Sequence, residues 1–126
     1  MIEDYKSLAF PLCLFRILEQ MAGPSLGTND LMILLVLMRL ADDAYGVTIA
    51  REIEETTRRP VALASVYATL DRLVERGFAV SELGEPTAER GGRAKKFFRI
   101  TGKGVREVRA AKQSLVRLWK DLPQLG

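Results

Sequence analysis

Leu63, Val66, Leu70 and Leu73 recur at intervals of three, four and three, with Val74 beside them. That spacing lays one apolar stripe along a helix from about Leu63 to Arg76. Gly77 is the natural left-handed stop for such a helix. The period then changes at once, because Phe78 to Leu83 alternates as a strand does. A helix with a single apolar face, joined directly to a strand, has to pack against a core supplied by the rest of the chain.

Upstream, Thr28-Asn29-Asp30 offers N-cap candidates for a helix running to about Ala41. Its near-continuous apolar character predicts the buried centre of the domain. Asp42 to Gly46 interrupts it, and a second helix follows over about 47–57, with Ile49, Ile53 and Val47 facing inward. Arg58-Arg59-Pro60 reads as a turn. Downstream, residues 84–94 read as a long hairpin loop and Lys95 to Thr101 as the returning strand. Thr101 is placed to cap a last helix from about Gly102 to Leu122. The expected fold is therefore mainly α with a small β-hairpin. It is a winged helix-turn-helix domain over 28–103, followed by a C-terminal dimerisation helix over 104–126. Residues 1–27 form an extension, helical near 11–22 between Pro11 and Gly23-Pro24. That segment is apolar almost all round and needs a partner surface. Met21 offers an alternative start.

Composition removes several functions. The chain has 126 residues, enough for one domain with a core. One cysteine, Cys13, and no histidine exclude an internal disulfide, a Cys/His zinc site and a His-based triad. Cys13 lies among Leu12, Leu14 and Phe15 and reads as a buried thiol. Gly102-Lys103-Gly104 lacks the earlier glycine of a phosphate loop, and Asp42-Asp43 reads as a solvated turn. No enzyme, metal or cofactor is expected. The N-terminus is acidic rather than signal-like. The apolar run Leu31–Met38 is far short of the roughly 20 residues that span a bilayer. A cytoplasmic protein without a membrane partner follows as the expectation.

Charge is unevenly placed. Residues 1–57 carry a net −5 and the remainder +8, which points to a polyanionic partner met by one face. From Arg90 to Lys103 there are six bases and no acid, with Gly91-Gly92 inside the run. Glycines let a backbone bend sharply and approach a ligand. Flanking cations then neutralise phosphates or enter a minor groove. Charge guarding a strand edge also explains Lys95 and Lys96, but it explains Arg90-Gly91-Gly92-Arg93 less well. In a helix-turn-helix the second helix of the motif enters the major groove, and here that is Leu63 to Arg76. Its exposed face carries Ala64, Ser65, Ala68, Thr69 and Arg72. Ala68 and the Thr69 methyl suit thymine methyls, and Ser65, Tyr67 and Arg72 suit phosphates. Core packing is an equal reading of Tyr67. A protein-interaction winged helix, its basic wing docking an acidic partner, is the second class of function. The small, uncharged face from Ala64 to Thr69 favours DNA.

Three segments together resemble the PadR family of bacterial transcriptional regulators. They are Tyr45-Gly46, the run Ser65 to Leu73, and Gly91 to Thr101 with its Gly-Gly-Arg opening. The resemblance covers about residues 28–104. It implies a homodimeric winged helix-turn-helix repressor, with Ser65 and Tyr67 facing the major groove and Gly91 to Lys96 forming the wing. The family usually carries two tyrosines where this chain has Phe97-Phe98. The single short C-terminal helix resembles the family's smaller branch, in which that helix mediates dimerisation.

Along the last helix Val108, Ala111, Leu115, Leu118 and Leu122 repeat as a heptad-like seam, with Trp119 beside it. Two such seams predict a homodimer that sets two reading helices one turn of DNA apart. About two heptads are too short to hold a dimer unaided, so the 11–22 helix is expected to cover the same seam, or the two helices pack within one monomer. Trp119 is either packing or a platform for a planar aromatic small-molecule effector that releases the repressor.

Overall fold

The computed structural model describes residues 26–84 and 94–123. Within them the order is α1 (Thr28–Leu40), α2 (Gly46–Thr57), α3 (Leu63–Glu75), β1 (Ala79–Leu83), β2 (Lys96–Ile100) and α4 (Gly102–Trp119). The mainly helical fold with one small hairpin is the architecture expected. The expected helix at 11–22 and Cys13 lie outside the described residues.

Gly27, one residue before the expected caps, opens α1, and its N–H donates to the Asp30 carboxylate at 3.0 Å. An acid in the first turn also complements the positive end of the helix dipole. Ile33, Leu34, Val36 and Leu37 of α1 enter the core. The other flank does not: Leu35 and Met38 are each 46% exposed. The expectation of a wholly buried α1 is thus corrected, because α2, α3 and the hairpin cover only one side of it. A short 3₁₀ turn, Ala41–Asp43, leads to α2.

Thr48 fixes the start of α2. Its hydroxyl accepts from the Tyr45 N–H at 3.0 Å and donates to the Asp43 carbonyl at 2.6 Å. Ile49 and Ile53 are buried, while Val47 turns outward. Two residues before Ile49 is about 200° around a helix, which puts Val47 on the opposite side. Arg58 takes a left-handed φ of 61° at the C-cap. The Val61 N–H donates to Glu54 Oε1 at 3.1 Å and closes the turn into α3.

In α3 the buried face is Val66, Thr69, Leu70 and Leu73. Leu63, counted in the stripe, is half exposed because the first turn projects past the core. Gly77 adopts φ 81°, and the Phe78 N–H returns to the Leu73 carbonyl at 2.9 Å. This is the left-handed helix stop that the glycine predicted. The hairpin is antiparallel, from Ala79 opposite Ile100 to Leu83 opposite Lys96. On its other edge β2 takes one more partner, since the Phe98 N–H donates to the Ala44 carbonyl at 2.8 Å and Tyr45 bridges Phe97. The loop before α2 thereby becomes a rudimentary third strand.

Thr101 caps α4 by accepting from the Gly104 N–H at 3.1 Å, and its hydroxyl donates to the Gly77 carbonyl at 2.7 Å. A Cβ on Gly104 would collide with the Phe78 carbonyl, so glycine here is what lets the helix lie against the chain leaving α3. Val108 is buried in the same cluster as Leu34, Leu70 and Phe78. Its expected place in a dimer seam is therefore corrected: the first half of α4 is longer than a cap and has to close its own core. Past Ala111 the helix leaves the core and ends at Trp119, short of the expected Leu122, because Lys120 turns extended and Asp121 takes a φ of 64°. Leu115, Val116, Leu118, Trp119 and, beyond the helix, Leu122 are all half exposed or more.

Candidate nucleic-acid interface

The outer face of α3 begins as the sequence suggested. Ala64, Ser65 and Ala68 are exposed, and Tyr67 is 39% exposed. Ala62 precedes the helix without a side-chain cap. The first-turn N–H groups thus face outward, with the dipole's positive end, at the point nearest Arg58 and Arg59 in the chain. Farther along the same face come Asp71 and Glu75, also exposed. Only the first two turns can therefore approach a polyanion without repulsion.

Thr69 does not belong to this face. It is 2% exposed, and its hydroxyl accepts from Arg72 Nη2 at 3.3 Å. A residue three after Val66 lies about 60° from it on a 3.6-residue helix, on the flank of the apolar stripe next to Leu73. Its expected thymine contact is withdrawn. Arg72 keeps an exposed side chain, but it leans to Asp30 at 3.8 Å, and Arg76 approaches the same carboxylate at 3.9 Å. Asp30 thus ties the start of α1 to the end of α3.

Tyr67 has a specific seat. A Cβ at Gly46 would occupy the space of the Tyr67 ring, so the ring lies directly on the backbone that opens α2. Next to it, Lys95 Nζ stands 4.5 Å from the centroid of the Tyr45 ring and 3.5 Å from its hydroxyl. Tyr45 meets Phe97 edge-on at 5.5 Å. Tyr45 and Gly46 have no polar signal of their own in the sequence. What marked them was their position: an aromatic-glycine pair at a helix start, with Thr48 three residues on.

The basic run divides in the structure. Arg99 is held between Glu82 at 3.3 Å and Asp42 at 3.5 Å. Lys103 donates to the Arg76 carbonyl at 3.0 Å and stands over the Phe78 ring. Both serve the fold. Lys96 is exposed and Lys95 half-buried at the foot of the hairpin. Arg90, Gly91, Gly92 and Arg93 lie outside the described residues. Among the described residues no cluster of acids and thiols can hold a metal ion, and no helix is long and apolar enough to cross a membrane.

A three-helix motif with its second reading helix exposed, followed by a hairpin of basic foot, is the layout of a winged helix-turn-helix. The model of the "Transcriptional regulator PadR-like family" matches residues 33–110, more than half of the chain. This protein belongs to the PadR-like family. No curated protein matches it. Three solved structures show the same fold. A transcriptional regulator from Clostridium thermocellum is 24% identical with a TM-score of 0.62, covering 73% of this chain and 84% of that one. A PadR family transcription regulator from Clostridium difficile R20291 is 23% identical at 0.61, covering 75% and 93%. A PadR-like transcriptional regulator from Bacillus cereus is 21% identical at 0.59, covering 71% and 82%. A PadR-like regulator is a DNA-binding transcription factor rather than an enzyme. In this PadR-like chain, the free apolar surface of α4 is Leu115, Val116, Leu118 and Trp119, with Ala111 half-buried at its root and the exposed Leu122 just past its end.

Proposed function

We propose that this PadR-like regulator is a sequence-specific, homodimeric repressor that reads operator DNA with α3 and is released by a small molecule. One observation carries the reading. The uncharged first turns of α3, the Tyr67 ring on Gly46 and the Lys95–Tyr45 contact form one continuous edge. In this reading Ala64 and Ala68 meet base edges, and Ser65 and Tyr67 hold phosphates. The wing, Arg90, Gly91, Gly92, Arg93, Lys95 and Lys96, takes the adjacent backbone or minor groove.

Duplex binding measured across a salt series tests it. Ala68→Glu is expected to abolish binding by setting a carboxylate against the groove. Arg93→Ala with Lys95→Ala is expected to weaken binding to all sequences and to flatten the salt dependence by about two phosphate contacts. A wild type without salt-sensitive affinity for duplex DNA would overturn the proposal.

Dimerisation rests on the exposed apolar half of α4, which a lone protomer leaves in water. For the effector, Trp119 is 72% exposed beside Leu115 and Leu118 and can stack on a flat aromatic compound. Quenching of Trp119 fluorescence by such compounds, together with loss of DNA binding, is the expected result. A broad panel that quenches nothing counts against an effector at this position.

A further inference from the structure

Helix α4 carries five bases and one acid, Glu107. Lys103 is engaged by the Arg76 carbonyl. The other four, Arg106, Arg109, Lys112 and Arg117, are exposed. None of them pairs with an acid among the described residues. At about 100° per residue, Arg106, Arg109 and Arg117 fall within roughly 80° of one another, and Lys112 flanks them. Leu115 faces the other way, about 180° from Arg106. Arg109, Lys112, Gln113, Val116 and Arg117 line a shallow hollow of about 340 Å³. A helix face that meets only water mixes its signs, because opposite charges three or four residues apart support the helix and like charges there weaken it. Here no acid stands three or four residues from Arg106, Arg109 or Lys112. A polyanion on this face removes the repulsion.

We infer that this face of α4 holds a second segment of duplex DNA while α3 reads the first, so that one dimer ties two duplexes together. The inference rests on the proposed reading of DNA by α3 and on pairing through the α4 seam. Placement separates the two contacts. Thr101 and Gly104 set the start of α4 against Gly77 and Phe78, at the end of α3 opposite its reading turns. The seam faces the partner copy, so the basic face stays open in the dimer. Size agrees. Arg106 to Arg117 spans about 17 Å, a length over which a duplex presents about ten phosphate charges. Three of the four bases are arginines, whose planar guanidinium holds phosphate oxygens in pairs. An anionic membrane is the rival partner, because the same helix carries an apolar face.

A short bead-bound duplex, selected by the full-length protein from a random pool, is loaded with that protein and offered a fluorescent duplex of unrelated sequence. Capture of the second duplex is expected, falling as salt rises. Arg109→Gln with Lys112→Gln and Arg117→Gln is expected to lower capture by about tenfold or more, with affinity for the first duplex kept within about twofold. The thermal midpoint of this variant should not fall, since like charges are removed from exposed positions. Bead-held protein that captures nothing overturns the inference and leaves the reading by α3 standing. If such protein instead sediments with phosphatidylglycerol vesicles, the face belongs to a membrane. Protein that retains no duplex from the pool overturns both readings. A triple variant that captures like wild type assigns the second duplex to another surface. Parallel loss of both duplexes makes these bases part of the first contact. Either result overturns the inference.

Discussion

Two glycines and one threonine show how single atoms set this interface. At Gly104 an added methyl meets the Phe78 carbonyl, a backbone atom that cannot swing aside. Gly104→Ala is expected to cost about 1–3 kcal/mol, the usual range for overpacking, read from the denaturant midpoint. At Gly46 the obstacle is the ring of Tyr67, a side chain that can rotate. Gly46→Ala should therefore lose less stability than Gly104→Ala but displace Tyr67 from the DNA-reading edge and lower DNA affinity. If the two variants lost equal stability and Gly46→Ala bound normally, Tyr67 would be packing alone. Thr69 is the instructive error of residue-level reading. Its hydroxyl made it look like surface, yet the helical period puts it at the edge of the buried stripe, beside Leu73. A small polar side chain with its one hydrogen bond met inside is invisible to a pattern built on apolar residues. Thr69→Val should accordingly leave DNA affinity within about twofold, a change below the roughly 1.4 kcal/mol that a tenfold loss represents.

At the scale of elements, the clearest signals were those with a change of period. The stripe of α3, its stop at Gly77 and the strand after it were all legible, because each rests on local geometry. Thr101 as the cap of α4 was legible for the same reason. The exposed flank of α1 was not. An apolar run from Leu31 to Met38 contains no polar side to orient it, so sequence could not say which residues the core would take. Likewise the seam of α4 runs from Val108, inside the core, to Leu118, outside it, and the helix stops at Trp119 before the expected Leu122. Periodicity marks a face but not where its partner changes. The α1–α2 contact carries its own pH signature. Hydrogen bonds from Thr56 and then Arg39 hold the Glu52 carboxyl below the usual carboxylate range. A depressed acid stabilises the fold at neutral pH, and that contribution disappears as pH falls through the folded-state value. Glu52→Gln should therefore reduce the steepness of acid unfolding in this range while changing stability little, as expected of an exposed pair. An unchanged acid limb would show that the contact contributes nothing.

The proposed dimer depends on apolar surface that one chain leaves uncovered. Leu115, Leu118 and Trp119 are exposed at the end of a helix whose first half contributes Val108 to the core, and Leu122 is exposed just past it. Leu118→Glu is expected to give a folded monomer with an unchanged thermal transition at high dilution. It should bind an operator much more weakly than wild type, because two half-sites no longer act together. A Leu118→Glu protein that remained dimeric by sedimentation would move the interface elsewhere. The hydrogen bond from Phe98 to Ala44, with the Tyr45–Phe97 bridge beside it, has a last consequence. It couples the hairpin to the loop that opens α2, and the Tyr67 ring on Gly46 ties that loop to α3, so the proposed reading helix and the foot of the hairpin are joined through one loop. If the protein reads DNA as proposed, such a link favours adjustment by the duplex. Operators rich in easily kinked pyrimidine–purine steps should then outbind stiffer ones with identical contacted bases, and discrimination would rest as much on the mechanics of the duplex as on its letters.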